Sequence, residues 1–420
     1  MCVEIQPVFM LGWFCKGFNA FMKILVTDGE GRSSLAATRS LGRQGYTVLV
    51  CGSSAYTLAS SSRFCHQGAA VPDPLKNGGG YAEAICNLAF EEGIDVILPM
   101  TEQSIYLLNP CRKRLPNNTT LACPGPEQVH ILSNKVSLFQ LAERLGIATP
   151  QTFFLKNNND LPLITNSIAE YPVVIKPALS RIAVNEGFLA TNVTYAADRA
   201  ELEAQYATNP ALRFPSMIQE KIVGLGTGLF TLYATDRHLA LFSHRRLREK
   251  PPSGGVSVVS ESVPLDGEMV EAASRLLSAV GWQGVAMVEF KRDERDGKAK
   301  LMEINGRFWG TLQLAVVCGV DFPCLLLNTL QEKSLNHRVG EYRIGHKMKW
   351  FFGTLDHLLI RLKNDDAALQ LPPWAPTKWG AFKDFVKIFS RNTSFDVFDR
   401  RDIWPFIHEA KSYFSQIMRG

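Results

Sequence analysis

Glu289, Glu303 and Asn305 have residue types and a spacing that could hold a metal ion. They lie in two apolar runs, Val285-Ala-Met-Val-Glu-Phe-Lys and Leu301-Met-Glu-Ile-Asn-Gly-Arg, separated by the charged segment Asp293-Glu-Arg-Asp-Gly. Apolar runs flanking an Asp-Gly turn read as a β-hairpin. With the turn centred near Asp296 and no bulge, Glu289 faces Glu303 and Met287 faces Asn305. Side chains alternate faces along a strand, so Glu289, Glu303 and Asn305 share one face, and Val288, Phe290, Met302 and Ile304 fill the other. Adjacent carboxylates repel and cannot be buried cheaply without a counter-charge. An all-oxygen set suits a hard cation, and Mg²⁺ with few protein ligands and bound phosphates is the usual case. The plainer reading is a solvated hairpin with ordinary surface charges.

Several cations precede the hairpin. Lys135 begins a helix that Ser133 caps and Gly146 ends, with Leu138, Leu141, Ala142 and Leu145 as its apolar stripe. A lysine in a first turn opposes the helix dipole and fits an anion contact, or it is a solvated surface lysine. Lys176 closes the short buried strand Tyr171-Pro-Val-Val-Ile-Lys-Pro. There it needs a partner such as phosphate, or it snorkels to solvent. Glu220 ends another strand, where it meets a base or ribose or pairs with a neighbouring lysine. The run His244-Arg245-Arg246-Leu-Arg248 before Gly254-Gly255 concentrates guanidinium forks that grip carboxylates and phosphates, unless it is a solvated basic edge.

The elements that position these residues are legible as alternation. Strand Ile24–Thr27, helix Ser34–Gln44, strand Thr47–Cys51, helix Tyr81–Glu92 and strand Val96–Pro99 imply a parallel, doubly wound sheet. Its first turn, Asp28-Gly-Glu-Gly-Arg-Ser-Ser34, is a partial dinucleotide fingerprint whose last glycine is serine, and a plain strand-to-helix turn explains it equally well. Pro124-Gly-Pro126 marks a boundary. We expect an extension over residues 1–21, poorly ordered, then a Rossmann-like domain over 22–125, an α+β region over 126–330 and a mainly helical extension over 331–420.

Composition excludes other classes. With 420 residues, 46% apolar and 20% charged, the chain suits two or three globular domains. Its net charge of +5 lies wholly in the tail from Gln331, which is too mild for nucleic acid. Nine cysteines without a CxxC pair fit a reducing cytoplasm. The basic, aromatic stretches Lys347–Phe352 and Trp379–Phe389 could lie on a membrane surface, but more often such stretches pack onto the preceding domain.

Lys135, Lys176-Pro, Glu220, the arginine loop, Glu289 and Glu303-x-Asn305-x-Arg307, in this order, resemble the ATP-grasp superfamily. The likeness is greatest to its carboxylate–amine ligases, with some to carbamoyl-phosphate synthase large subunits, and it covers about residues 23–330. The resemblance implies a Rossmann-like domain followed by two α+β subdomains clasping ATP. It implies that Lys135 and Lys176 contact phosphates and that Glu220 and the backbone near Ile222 meet adenine. Glu289, Glu303 and Asn305 would hold Mg²⁺ or Mn²⁺. Arg307 would neutralise the transferred phosphate, and Arg245 and Arg248 would hold the substrate carboxylate. The expected activity is ADP-forming ligation of a carboxylate to an amine, such as an amino acid, in a possible homodimer. Carbamoyl-phosphate or biotin-carboxylase-like use of bicarbonate, and ATP binding without turnover, are the alternatives. Two departures stand out. Ala178–Gly187 lacks the family's glycine-rich run, leaving Ser180 and Arg181 as substitutes. Leu225, Gly226 or Thr227 stands where many members carry a ribose-binding acid.

Overall fold

The computed structural model describes residues 22–184, 187–252, 254–335, 337–366, 369, 371, 375–386 and 392–419. The expectation for residues 1–21 lies outside them. Strand β1 (Lys23–Val26), helix α1 (Arg32–Arg43), strands β2 (Thr47–Gly52) and β3 (Gln67–Ala70), helix α2 (Gly78–Glu91), strand β4 (Val96–Leu98), helix α3 (Glu102–Leu108) and strand β5 (Thr120–Leu121) follow in sequence. Their strands form a five-stranded parallel sheet in the order β3-β2-β1-β4-β5. The order reverses beside β1, which opens a crevice at the carboxyl ends of β1 and β4. The first turn is filled by its own chain. Gly29 N–H donates to Cys51 O (2.9 Å) and its carbonyl accepts from Ala59 N–H (2.8 Å), and a Cβ on Gly29 would lie 2.3 Å from Thr57 Oγ1. This is the strand-to-helix turn, closed over by residues 57–59.

Helix α4 (Pro126–Ser133) starts at Pro126 and leads into α5 (Lys135–Arg144). Asn134, not Ser133, caps α5, accepting from Ser137 N–H, because Ser133 ends α4. Strand β6 (Thr152–Leu155), helix α6 (Leu161–Ile164), strand β7 (Val173–Pro177), the hairpin β8 (Arg181–Val184) and β9 (Gly187–Ala190), strand β10 (Thr194–Ala196), helix α7 (Arg199–Thr208) and strand β11 (Ser216–Glu220) come next. They make a four-stranded antiparallel sheet, β10-β7-β11-β6, and a separate two-stranded flap. Leu155, Ile175, Leu202 and Ile218 form this lobe's core.

Strands β12 (Gly226–Ala234), β13 (Arg237–Lys250) and β14 (Val256–Ser262), helix α8 (Gly267–Ala279), and strands β15 (Gly284–Arg292) and β16 (Ala299–Asn305) build the second lobe. After them come helices α9 (Leu312–Cys318) and α10 (Phe322–Leu330), strand β17 (Lys347–Lys349), helices α11 (Phe351–Lys363) and α12 (Lys378–Val386), strand β18 (Thr393–Phe395) and helix α13 (Trp404–Arg419). The large sheet runs β16-β15-β12-β13-β14-β17-β18, so the mainly helical tail also adds two strands to it.

One face of this sheet packs Leu229, Val288, Phe290 and Leu301 against α5 and α8. The other packs Phe230, Phe242 and Met287 with α9, α10 and residues of the parallel sheet, joining the two units in one core. Among the described residues no helix is long and apolar enough to cross a membrane. The seven described cysteines are free. Of the aromatic tail stretch, α12 packs Phe385 on Phe351 but leaves Trp379, Phe382 and Val386 exposed, and Lys387–Phe389 lie outside the described residues.

Candidate active site between the two lobes

The hairpin pairs Glu289 with Glu303 and Met287 with Asn305. A bulge after Glu289 then shifts the register, pairing Phe290 with Leu301. The expected partner Met302 is displaced from the core, and Leu301 takes its place beside Phe290. A one-residue insertion flips faces beyond it, so the metal-type residues keep their face while the turn-proximal half changes.

Gly228 lies in the same cross-strand row as Glu289, between it and His244. Two residues earlier, Gly226 has no side chain to obstruct Arg246, whose Cδ lies 3.8 Å from where a Cβ would stand. Arg246 therefore crosses β12 from β13 and donates to Glu289, while its other arm donates to Glu249 (3.0 Å). The expected Arg245 and Arg248 do not come to this face. Arg245 pairs with Glu261 on β14 (2.7 Å) and Arg248 with Asp384 on α12 (2.7 Å). Alternation places Arg245 opposite to Arg246, and the register shift around Arg248 turns the strand again. His244 belongs to the core, with Nε2 2.7 Å from Thr311 Oγ1 and its ring 4.5 Å from that of Phe230. Burial and the adjacent Arg246 push its pKa down to about 3, so it stays neutral.

Asn305 donates to Glu303 Oε1 (2.8 Å), and its oxygen accepts from Arg307 (3.2 Å). Arg307 also donates to Phe308 O (2.9 Å). Gly306 between them is constrained by close approach, since a Cβ there would sit 2.3 Å from the buried Trp282 ring. Gly306→Ala should therefore push Trp282 or the Asn305–Arg307 strand end aside and destabilise by about 1–3 kcal/mol in a urea titration. Unchanged stability would mean that the ring yields without cost.

The second lobe's carboxylates face lysines from the first. Lys135 Nζ donates to Ser180 Oγ (3.2 Å) and its own backbone N–H to Ala178 O (2.7 Å), tying α5 to the start of the flap. Lys176 stands over Phe139 (5.7 Å to the ring centre). Burial lowers its pKa to about 8 against the opposing pull of Glu303. Burial raises Glu289 to about 7 despite Arg246. Burial would also raise Glu303, but Lys135, Asn305 and Lys176 outweigh it and hold it below the usual carboxylate range.

For Glu289 the folded value exceeds its ordinary 4.5, so between those limits the folded chain keeps a proton that the unfolded chain has lost. Without metal, stability should fall as pH rises from about 4.5 to about 7. Relative to wild type, Glu289→Gln should gain stability across that window in denaturant titrations. A constant difference between the two would contradict this assignment.

Glu220 accepts from Gln151 N–H (3.0 Å) and from Arg295 (2.7 Å), at the exposed end of β11, and Ile222 is buried beside it. The cleft between the lobes is lined by Glu102, Lys135, Ser180, Glu303, Asn305 and Arg307 among others. Glu102, contributed by α3 of the parallel sheet, was not among the residues singled out from sequence. Its place after the carboxyl end of β4 is the signal that could have found it. Among the described residues no three of His, Cys, Asp and Glu gather around one point. A divalent ion here would rest on the Glu289–Glu303 pair, the Asn305 amide and ligand oxygens. That hard-oxygen set fits Mg²⁺, and Arg246 now supplies the counter-charge on Glu289.

Comparison with known proteins gives the same fold. Residues 243–351 match the family described as "ATP-grasp in the biosynthetic pathway with Ter operon". No curated protein sequence matches the chain. Among solved structures, it is similar to the biotin carboxylase domain dimer of the Hydrogenobacter thermophilus 2-oxoglutarate carboxylase, in complex with MgADP, ADP and bicarbonate. That TM-score is 0.59, at 16% identity, over 77% of this chain and 73% of that one. The L-amino acid ligase of Bacillus licheniformis gives a TM-score of 0.59 at 18% identity over 78% of both chains. The N5-carboxyaminoimidazole synthetase of Staphylococcus aureus complexed with ADP gives 0.59 at 13% identity, over 78% of this chain and 80% of that one.

Proposed function

We propose that this chain, whose residues 243–351 match an ATP-grasp family and whose fold resembles that of a biotin carboxylase and an L-amino acid ligase, is an ATP- and Mg²⁺-dependent ligase joining a carboxylate to an amine through an acyl phosphate. The observation that carries the reading is the charge pattern of the cleft. Buried Lys135 on α5 and half-buried Lys176 on β7 face the half-buried Glu289–Glu303 pair of β15 and β16, with Arg307 beside them. Such a site is suited to phosphoryl transfer, which needs positioning and charge neutralisation more than a protein nucleophile.

In this reading Lys135 and Lys176 bind the ATP phosphates, and Glu220 with the backbone at Ile222 borders the adenine. Glu289, Glu303 and Asn305 hold Mg²⁺, or Mn²⁺ through the same oxygens. The ion, when bound there, would supply Lewis-acid charge neutralisation to the phosphates. Arg307 steadies the transferred phosphoryl group. Arg246 takes the carboxylate-holding role first assigned to Arg245 and Arg248, since it reaches the cleft face and they do not. Ser180 and Arg181 stand where a glycine-rich flap would contact phosphate, and the Lys135–Ser180 hydrogen bond supports that substitution. Phosphorylation makes the carboxylate a good electrophile; the amine then forms the C–N bond as phosphate departs with the C–O electron pair.

The test is a coupled ADP-release screen over amino acids and small carboxylates with Mg-ATP. Amine-dependent ADP release supports the ligase. ADP release that requires bicarbonate instead would favour the carboxylating reaction, a reading supported by the likeness to a biotin carboxylase. ATP binding without turnover on any acid would overturn both.

A further inference from the structure

We infer that Glu102 receives the amine substrate in its ammonium form, so that the acceptor of the ligation is a positively charged amine. This rests on the ligase reading and names the class of its second substrate.

Glu102 enters the cleft from a different unit than the nucleotide-facing residues. It is the first residue of α3, which follows β4 of the parallel sheet, and it lines the same cleft as Arg307 and Glu303. The other acids of this region are occupied. Glu289 accepts from Arg246, Glu303 from Asn305, and Glu220 from Arg295 and the Gln151 backbone. The Glu102 carboxylate makes no hydrogen bond or ion pair among the described residues. Lys135, Arg307 and Arg181 act on it only at longer range, and burial outweighs them, lifting its pKa. A carboxylate left with free acceptors in a partly dry cleft is costly, and a ligand that donates to it recovers that cost.

The ligand's charge follows from the surroundings. A neutral nucleophile would gain a weaker hydrogen bond, and an anionic one would be repelled. An ammonium ion makes a charge-assisted bond to Glu102, passes one proton to that carboxylate to free its lone pair for attack, and lies beside Arg307, where the acyl phosphate would be held. The two reactants then meet on adjacent groups. The flap reaches the same helix, with Phe188 of β9 edge-on to Tyr106 of α3 at 5.9 Å.

Hydroxylamine, uncharged at neutral pH, separates this claim from the ligase reading, because it traps an acyl phosphate as a hydroxamate without needing an ammonium site. Wild type, Glu102→Gln and Glu102→Asp are assayed with Mg-ATP and the productive acid from the twenty L-amino acids, with either hydroxylamine or the productive amino acid as acceptor. In Glu102→Gln, KM for the amino-acid acceptor should rise roughly 10- to 100-fold. Hydroxamate formation should fall far less, and Glu102→Asp should recover part of the lost affinity. Equal losses with both acceptors, or an unchanged KM for the amine, would overturn the ammonium assignment while leaving the ligase standing. Absence of hydroxamate from the wild type with any acid would instead remove the acyl phosphate, and this inference with it.

Discussion

Glu303→Ala should lower ADP release roughly 10³-fold while leaving the melting curve nearly unchanged. The side chain is at the centre of the cleft's electrostatics. It faces Glu289 across the β15–β16 ladder, accepts from Asn305, and is held ionised by Lys135 and Lys176. Removing it takes away one of two carboxylates available to the ion and frees Asn305 and Arg307 from their fixed geometry. The fold should tolerate the loss, because the core neighbours Leu301 and Ile304 remain in place. Glu303→Gln separates charge from shape, since it keeps the acceptor oxygen but not the ionised pair. ADP release near wild type in either variant would contradict the proposed metal site.

Arg39→Ala should destabilise the chain by about 3–5 kcal/mol with little direct effect on chemistry. Arg39 on α1 is 1% exposed, and its guanidinium donates to Asp402 Oδ2 (2.8 Å), to the carbonyls of Asp396 (3.2 Å) and Val397 (2.8 Å), and to Asp402 O (3.0 Å). Asp402 is itself enclosed, accepting from Ser62 Oγ (2.6 Å) and Arg63 N–H (2.9 Å). Deleting the arginine strands a buried carboxylate and three carbonyls, which costs more than the intact pair contributes. The same tail segment holds Arg32 through Asp396 (2.5 Å), and Arg32 lies over Trp350 (4.2 Å). Urea titration of Arg39→Ala gives the magnitude. A loss below 1 kcal/mol would mean that the tail docks by its apolar contacts alone.

These cases also mark what sequence patterns could carry. The β15–β16 hairpin was legible because a period of two and an Asp-Gly turn specify register locally. The bulge was not, because Leu301 and Met302 are both apolar and either satisfies the pattern. The arginine run announced cations, but which one faces the cleft depends on strand parity and on the register shift after Arg246, which no residue type signals. Lys135 and Lys176 were found because a lysine is unusual at a helix start or in a buried strand. Glu102 looked like any acid in a first helical turn, where it satisfies the helix dipole. Its isolation from partners is a property of packing. The Arg39–Asp402 lock joins residues at opposite ends of the chain, so no local window holds it.

The most direct test of the central claim follows one oxygen atom. With the productive carboxylate labelled in both carboxyl oxygens with ¹⁸O, an acyl phosphate requires one labelled oxygen to leave with the phosphate. Mass spectrometry of the released phosphate should show a single ¹⁸O per turnover, matched to the ADP formed. ADP formation with unlabelled phosphate would contradict carboxylate activation in this cleft.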